Sequence, residues 1–329
     1  MIRCMSKLLL SFLLVIFVSG EALAQTEPRY EARLTKKFYS MGTASINGTY
    51  YPIGNAISKL LGKKIRKMVT IAEPTAGSVA NVKYMKNKQI ELALMQSDIA
   101  WDAFNGINSF LNSPFKELRV IASLYSEKIQ IAVRADSTVK TLADLKGKKI
   151  AVGEKDSGSA AGVIQILNMA GLKAGEDYEL VYEKLFKSTE SLADGYVDAV
   201  YYVGGVPADA FSRLSAKVPV RLISIPAEVI KKIVKDFPYY STETITANSY
   251  KGQNETVNTL GFKALLTCTE AMPEEDVITM LTIIYNNPEL YGEQSQLLVK
   301  VKPEEGLNGF DSKMLHPGSA RFFARRMNK

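Results

Sequence analysis

The sequence predicts an α/β protein whose mostly parallel sheets are flanked by helices. Two observations carry the prediction. Short apolar runs rich in β-branched residues alternate with stretches of helical periodicity. The turns that join a strand to the next helix are small and polar: Thr43–Thr49, Thr75–Ser78, Gln96–Asp98, Asp156–Ser159 and Val203–Gly205. A third observation divides the chain. The alternation lapses over Arg119–Arg134 and again over Phe237–Thr269, which predicts two crossovers between two α/β domains. The expected domains are residues 25–134 with 250–329, and residues 135–249.

Taken in order, Phe38-Tyr39-Ser40 reads as a strand end. Ile53, Ala56, Ile57, Leu60 and Leu61 then give a helix, with Pro52 in its first turn, where a missing N–H costs little. A strand over Lys67–Glu73 precedes a helix whose apolar face is Val79, Val82 and Met85. A strand over Glu91–Met95 precedes a helix with Ser97 as N-cap and Gly106 as its stop. Arg119–Arg134 holds two β-rich runs, Val120–Leu124 and Ile129–Val133. Thr141 and Asp144 resemble a capping box before a short helix stopped at Gly147. The second unit repeats the first. It has a strand from Lys149, a helix through Val163, Ile164 and Leu167, strands at Tyr178–Tyr182, Val197–Val203 and Val220–Ile225, and helices opened by Pro207 and Pro226. Pro273 with Glu274, Glu275 and Asp276 starts a further helix, with acids at the positive end of its dipole.

The N-terminus reads as a leader. Arg3 and Lys7 precede the apolar run Leu8–Val18, and Ala22-Leu23-Ala24 matches a small-x-small cleavage site. Residues 1–24 are therefore expected to be removed and the protein exported to the periplasm. Cys4 leaves with the leader, so Cys268, in an apolar run, has no internal partner and is expected to be a buried thiol. The formal charge of +7 comes from Lys and Arg scattered among acids, which argues for a solvated surface and against nucleic acid as partner. With a single histidine, a His/Cys zinc site is not expected.

Enzyme motifs fail in turn. The chain has no G-x-S-x-G elbow, no P-loop and no G-x-G-x-x-G, and Ser137–Lys140 matches Ser-x-x-Lys without companion elements. His316 sits in Leu-His-Pro-Gly, a turn before the last helix. The paired acids, Asp98 with Asp102 and Glu274 with Glu275, suit capping and solvent. The expectation is a binding protein with no enzyme activity and no cofactor. In open α/β sheets, polar turns at the carboxyl ends of strands are where ligands bind.

The chain resembles the TAXI family of solute receptors, extracytoplasmic subunits of TRAP transporters. The resemblance rests on Gly48-Thr49-Tyr50-Tyr51-Pro52, Gly77-Ser78-Val79 with Asn81, and Ala93-Leu94-Met95-Gln96-Ser97-Asp98. It continues through Leu142–Lys148, Gly195–Ala199 and Leu315-His316-Pro317-Gly318. It implies a periplasmic binding protein fold, two α/β domains joined by crossover strands, that closes on a small organic anion such as glutamate or an oxo-acid. It also implies delivery to TRAP membrane permease subunits. The first loop departs from the family's glycine-rich form at Ala44, Ser45, Ile46 and Asn47, so ligand identity does not carry over. The alternatives are a receptor for an ABC transporter or a sensor kinase, and a secreted hydrolase.

Hydroxyls, amides and helix N-termini at the polar turns suit a carboxylate without a dedicated arginine. The expected ligand-binding residues are Thr43, Ser45, Thr49, Tyr50, Ser78, Asn81, Gln96, Ser157, Ser159 and Gly204. Arg134, near the first crossover, could add a bidentate contact or pair with a surface acid. Hinges are expected near Val133–Ser137 and within Ser241–Leu260, in a monomer.

Overall fold

The computed structural model describes residues 38–288 and 301–327. The expected leader, Cys4 and the polar lead-in lie outside the described residues.

The first unit runs β1 (Phe38–Gly42), α1 (Tyr50–Lys64), β2 (Val69–Glu73), α2 (Ser78–Lys86), β3 (Leu92–Gln96) and α3 (Ser97–Asn105). The second runs β4 (Leu118–Arg134), β5 (Lys148–Ala151), α4 (Gly158–Met169), β6 (Tyr178–Val181), α5 (Leu185–Ala193), β7 (Ala199–Gly204), α6 (Asp209–Lys217), β8 (Val220–Leu222) and α7 (Ala227–Asp236). The chain returns through β9 (Ser241–Ile245) and β10 (Val257–Thr269), and closes with α8 (Glu274–Asn286) and α9 (Pro317–Met327).

Local chemistry accounts for most boundaries. Ser157 caps α4 through its Oγ, which accepts the Ala160 N–H. Gly106 takes the left-handed conformation that ends α3. Three boundaries differ from the sequence reading. Gln96, rather than Ser97, occupies the cap position of α3, because the Ser97 hydroxyl accepts the Lys263 N–H of β10 instead. Asp144 accepts from both Thr141 and Lys140, which closes a single 3-10 turn at Ala143–Leu145. The two expected β runs before Arg134 are one strand of 17 residues, because β10 pairs along the stretch between them, Ser126 to Lys128 included.

The strands form one sheet in the order β2-β1-β3-β10-β4-β7-β5-β6, with β8 on β4 and β9 on β10. β1 is parallel to β2 and β3, and β5 is parallel to β6 and β7. Between these parallel sets run the long antiparallel strands β4 and β10, paired from Leu118–Thr269 to Lys128–Gly261. Among the described strands, these two join the two ends of the sheet.

Each end carries helices on both faces, and its apolar residues fall into separate cores. In the first, Met41, Ile53, Ile57, Leu61 and Leu94 pack with Leu281, Ile284 and Phe323 on one face. Val79, Val82, Met85 and Ile99 pack with Met95 on the other. In the second, Val163, Ile166 and Ile233 pack on Ile131 and Ile150, and Phe211 and Leu214 pack on Val200. Each such side chain, fully buried, contributes about 1.5–3 kcal/mol. Along β4, Tyr125 belongs to the first core and Ile129 to the second; along β10, Ala264 belongs to the first and Phe262 to the second. The helices of β1, β2, β3, β5 and β7 all follow the carboxyl ends of their strands, so the two sets of polar turns face each other across the sheet's midline.

His316 is buried, with Nδ1 accepting the Gly318 N–H and Nε2 donating to the Met272 carbonyl. It braces the start of α9. Cys268 is a free, buried thiol whose pKa burial drives up. Among the described residues there is no cluster of metal-capable side chains and no helix long and apolar enough to cross a membrane.

Candidate functional site

A cavity of about 60 Å³ lies where the two sets of turns meet. Ala44, Ser45, Gly48, Thr49, Tyr50, Ala76, Gly77, Ser78 and Gln96 line it from the first lobe, and Gly153, Ser157, Gly158, Ser159, Leu185, Tyr202 and Val203 from the second. Glu127, from the stretch of β4 that passes between the lobes, completes the wall.

The lobes touch directly around the cavity. Ala80 N–H of α2 donates to the Asp156 carbonyl at 3.1 Å, and Lys83 pairs with the Asp156 carboxylate at 2.8 Å. Thr49 N–H donates to the Tyr202 hydroxyl at 3.3 Å. Glycine permits the closest approaches. A Cβ on Gly158 would sit 2.1 Å from Gln96 Oε1, and one on Gly77 would sit 3.3 Å from Ser157 Cα. Gly77 also has φ of +125°, which only glycine adopts without strain. The two lobes therefore press directly on each other around the cavity.

The N-termini of α2 and α4, from opposite lobes, both reach this cavity. The first amides of a helix have no intrahelical acceptor. In α2, Ala80 and Asn81 find acceptors in Asp156 and Gly77; in α4, Ala160 and Ala161 find them in Ser157. The amides of Ser78, Gly158 and Ser159, all on the cavity wall, remain for a ligand at the positive ends of two helix dipoles. The Ser78 hydroxyl accepts the Gln96 N–H and faces the Tyr50 hydroxyl.

Two acceptors share the cavity wall with these donors. Gln96 Oε1 is buried with no hydrogen-bond partner. Glu127 is 1% exposed; its Oε2 accepts the Tyr50 hydroxyl at 2.5 Å. Burial, with the nearby Asp98 carboxyl adding to it, pushes the Glu127 pKa up to about 8 against the Tyr50 hydrogen bond. Asp98 itself is buried on α3 beside Gly162 of α4, and burial with the neighbouring Asp102 raises it to about 8. Asp98 meets the capping expectation, its Oδ1 accepting the Ile99 N–H in the first turn of α3 at 2.8 Å, but neither acid faces solvent, and burial likewise raises the Asp102 pKa, to about 6.

Of the residues singled out from sequence, the cavity gathers Ser45, Thr49, Tyr50, Ser78, Gln96, Ser157 and Ser159. Thr43, Asn81, Gly204 and Arg134 are elsewhere. Thr43 and Asn81 are fully buried below the loop: the Asn81 amide donates to the carbonyls of Thr43 and Leu94, and its oxygen accepts the Thr75 hydroxyl. The Gly204 carbonyl faces Gln130, which donates to it at 3.3 Å. Arg134 pairs with Asp136 at 2.8 Å and donates to the Ala193 carbonyl, the surface-acid alternative.

Sequence reasoning missed Glu127 and Tyr202. The signal for Glu127 was an acid in a short polar run, Ser126-Glu127-Lys128, set between two apolar β runs. It is readable only if the whole stretch is taken as one strand. Tyr202 carried no signal beyond its place near the end of an apolar strand.

Two lobes on one sheet, joined by a pair of long strands and closed over a cavity at the strand ends, make the architecture of the periplasmic binding proteins. The chain belongs to the NMT1-like family, whose model matches residues 41–325. Among solved structures it is similar to an ancestral arginine-binding protein bound to arginine, with 14% identity over 79% of this chain and 98% of that one and a TM-score of 0.50. It also matches the periplasmic aliphatic sulphonate binding protein SsuA from Escherichia coli, at 17% identity over 89% and 79% of the two chains, TM-score 0.49. The alkanesulfonate-binding protein SsuA from Xanthomonas axonopodis pv. citri bound to MOPS matches at 15% identity over 88% and 84%, TM-score 0.48. At these identities the likeness is one of fold. The matched proteins are binding proteins, not enzymes.

Proposed function

We propose that this chain is an extracytoplasmic solute receptor that closes on a small organic anion, amino-acid or oxo-acid-like, and delivers it to a TRAP permease. The observation that carries the reading is the meeting of two helix N-termini, from α2 and α4, on one cavity between the lobes. An anion placed there gains hydrogen bonds from both lobes at once, so binding and closure favour each other. The first-loop and Gly77-Ser78-Val79 motifs that suggested TRAP receptors form part of its wall. The leader-like N-terminus fits a periplasmic address.

The lobes are proposed to divide inside the long strands, where core membership changes: at Ser126–Lys128 of β4 and at Lys263 of β10. These are the hinge positions, in place of Val133–Ser137 and Ser241–Leu260.

Calorimetry of the mature protein with amino acids, dicarboxylates, oxo-acids, neutral sugars and inorganic cations tests the reading. Anions or zwitterions are expected to bind. Binding confined to sugars or inorganic cations would overturn it.

A further inference from the structure

We propose that Glu127, with Gln96 Oε1, forms an ammonium-binding subsite, so that the solute is a zwitterion rather than a simple anion. The inference rests on the receptor reading above and specifies the second end of its ligand.

The cavity wall contains no lysine, arginine or histidine. It does contain a buried carboxyl, and only one of its oxygens, Oε2, has a protein donor among the described residues. It also contains the buried, unpartnered carbonyl of Gln96. A buried acceptor left without a donor costs about 1–3 kcal/mol, and a buried charge without a partner costs more. A solute bearing only carboxylates or a sulfonate meets its needs at the amides of α2 and α4. It leaves Gln96 Oε1 unmet and gives Glu127 no cation to pair with. A solute that adds an ammonium group supplies donors to both.

The groups that face Glu127 agree. They are the hydroxyls of Tyr50 on α1, Tyr125 on β4 and Tyr202 on β7, and the carboxyl of Asp98 on α3. None is cationic. The next residue, Lys128, turns to the opposite face of β4 and is held by Glu243 and the Thr244 carbonyl. With no cation beside it, burial keeps the Glu127 carboxyl largely protonated at neutral pH. An ammonium beside it lowers that pKa, so binding releases a proton.

Matched pairs that differ in one nitrogen test this: L-glutamate with 2-oxoglutarate, L-alanine with pyruvate, taurine with isethionate. Whichever pair fits the cavity, the amino member is expected to bind at least tenfold tighter. In buffers of different ionisation enthalpy at pH 7 it should release close to one proton. Glu127→Gln keeps the Tyr50 hydrogen bond and should abolish both the preference and the proton release. Equal or tighter binding of the oxo or hydroxy member overturns the ammonium subsite and leaves the receptor reading standing. A preference that survives in Glu127→Gln, or binding without proton release, overturns it too. If no compound of any pair binds at millimolar concentration while a dicarboxylate of the wider panel does, the ammonium subsite fails and the receptor reading stands.

Discussion

Two groups of buried polar residues lie within a few residues of one another at the strand ends of the first lobe, and they behave in opposite ways. Thr43, Thr75 and Asn81 are closed on themselves. The Thr75 hydroxyl bonds Asn81, and the Asn81 amide holds the Thr43 and Leu94 carbonyls at 2.7 and 2.8 Å. Ser78 and Gln96, with Ser157 and Gly158 opposite, are open: free amides, a free carbonyl, and the other lobe in contact. The residue types are the same. What separates a structural polar residue from a ligand-binding one is whether the protein consumes its hydrogen bonds.

Substitutions that act on one group and spare the other sharpen this contrast. The largest effect is expected from Asn81→Ala, which strands buried carbonyls. It should cost about 2–4 kcal/mol of stability and lower the melting temperature by roughly 5–15 °C, with ligand affinity unchanged in the folded protein. Thermal denaturation and calorimetry on the same sample check both. A weakened affinity at normal stability would erase the distinction between the groups. Gln96→Ala should do the reverse. Its carbonyl has no protein partner to lose, so the melting temperature should hold while affinity falls roughly ten- to a hundredfold.

Ser157→Ala is intermediate, because Ser157 both lines the cavity and caps α4. Losing the cap costs about 1 kcal/mol, or roughly 2–4 °C, alongside a modest loss of affinity. Arg134→Ala should do least. Its partners are an exposed Asp136 and the Ala193 carbonyl, so neither affinity nor melting temperature should move measurably.

The alternation of strands and helices was legible in the sequence because apolar periodicity reports local geometry directly. The polar turns were legible as a class for the same reason. Their division into open and closed groups was not. Asn81 and Gln96 are both amides near a helix start, and only the fold places one beneath the loop and the other against α4. Glu127 was hidden by β4 itself: read as two runs, the chain offers no wall on which that acid could stand. Arg134 drew attention through its charge and its position near a crossover, but a charge two residues from Asp136 has a local partner that needs no ligand.

The central claim is that the solute is held between the N-termini of α2 and α4 with the cleft shut. Gly158→Ala tests it most directly. Alanine is a good residue for the first turn of α4, so the fold should not suffer. Its methyl group would nevertheless sit 2.1 Å from Gln96 Oε1 in the closed cleft. The measurement is a calorimetric titration of this variant and its parent with the tightest-binding solute of the panel. An affinity loss of tenfold or more at an unchanged melting temperature is the predicted result. Parental affinity in the variant would contradict it.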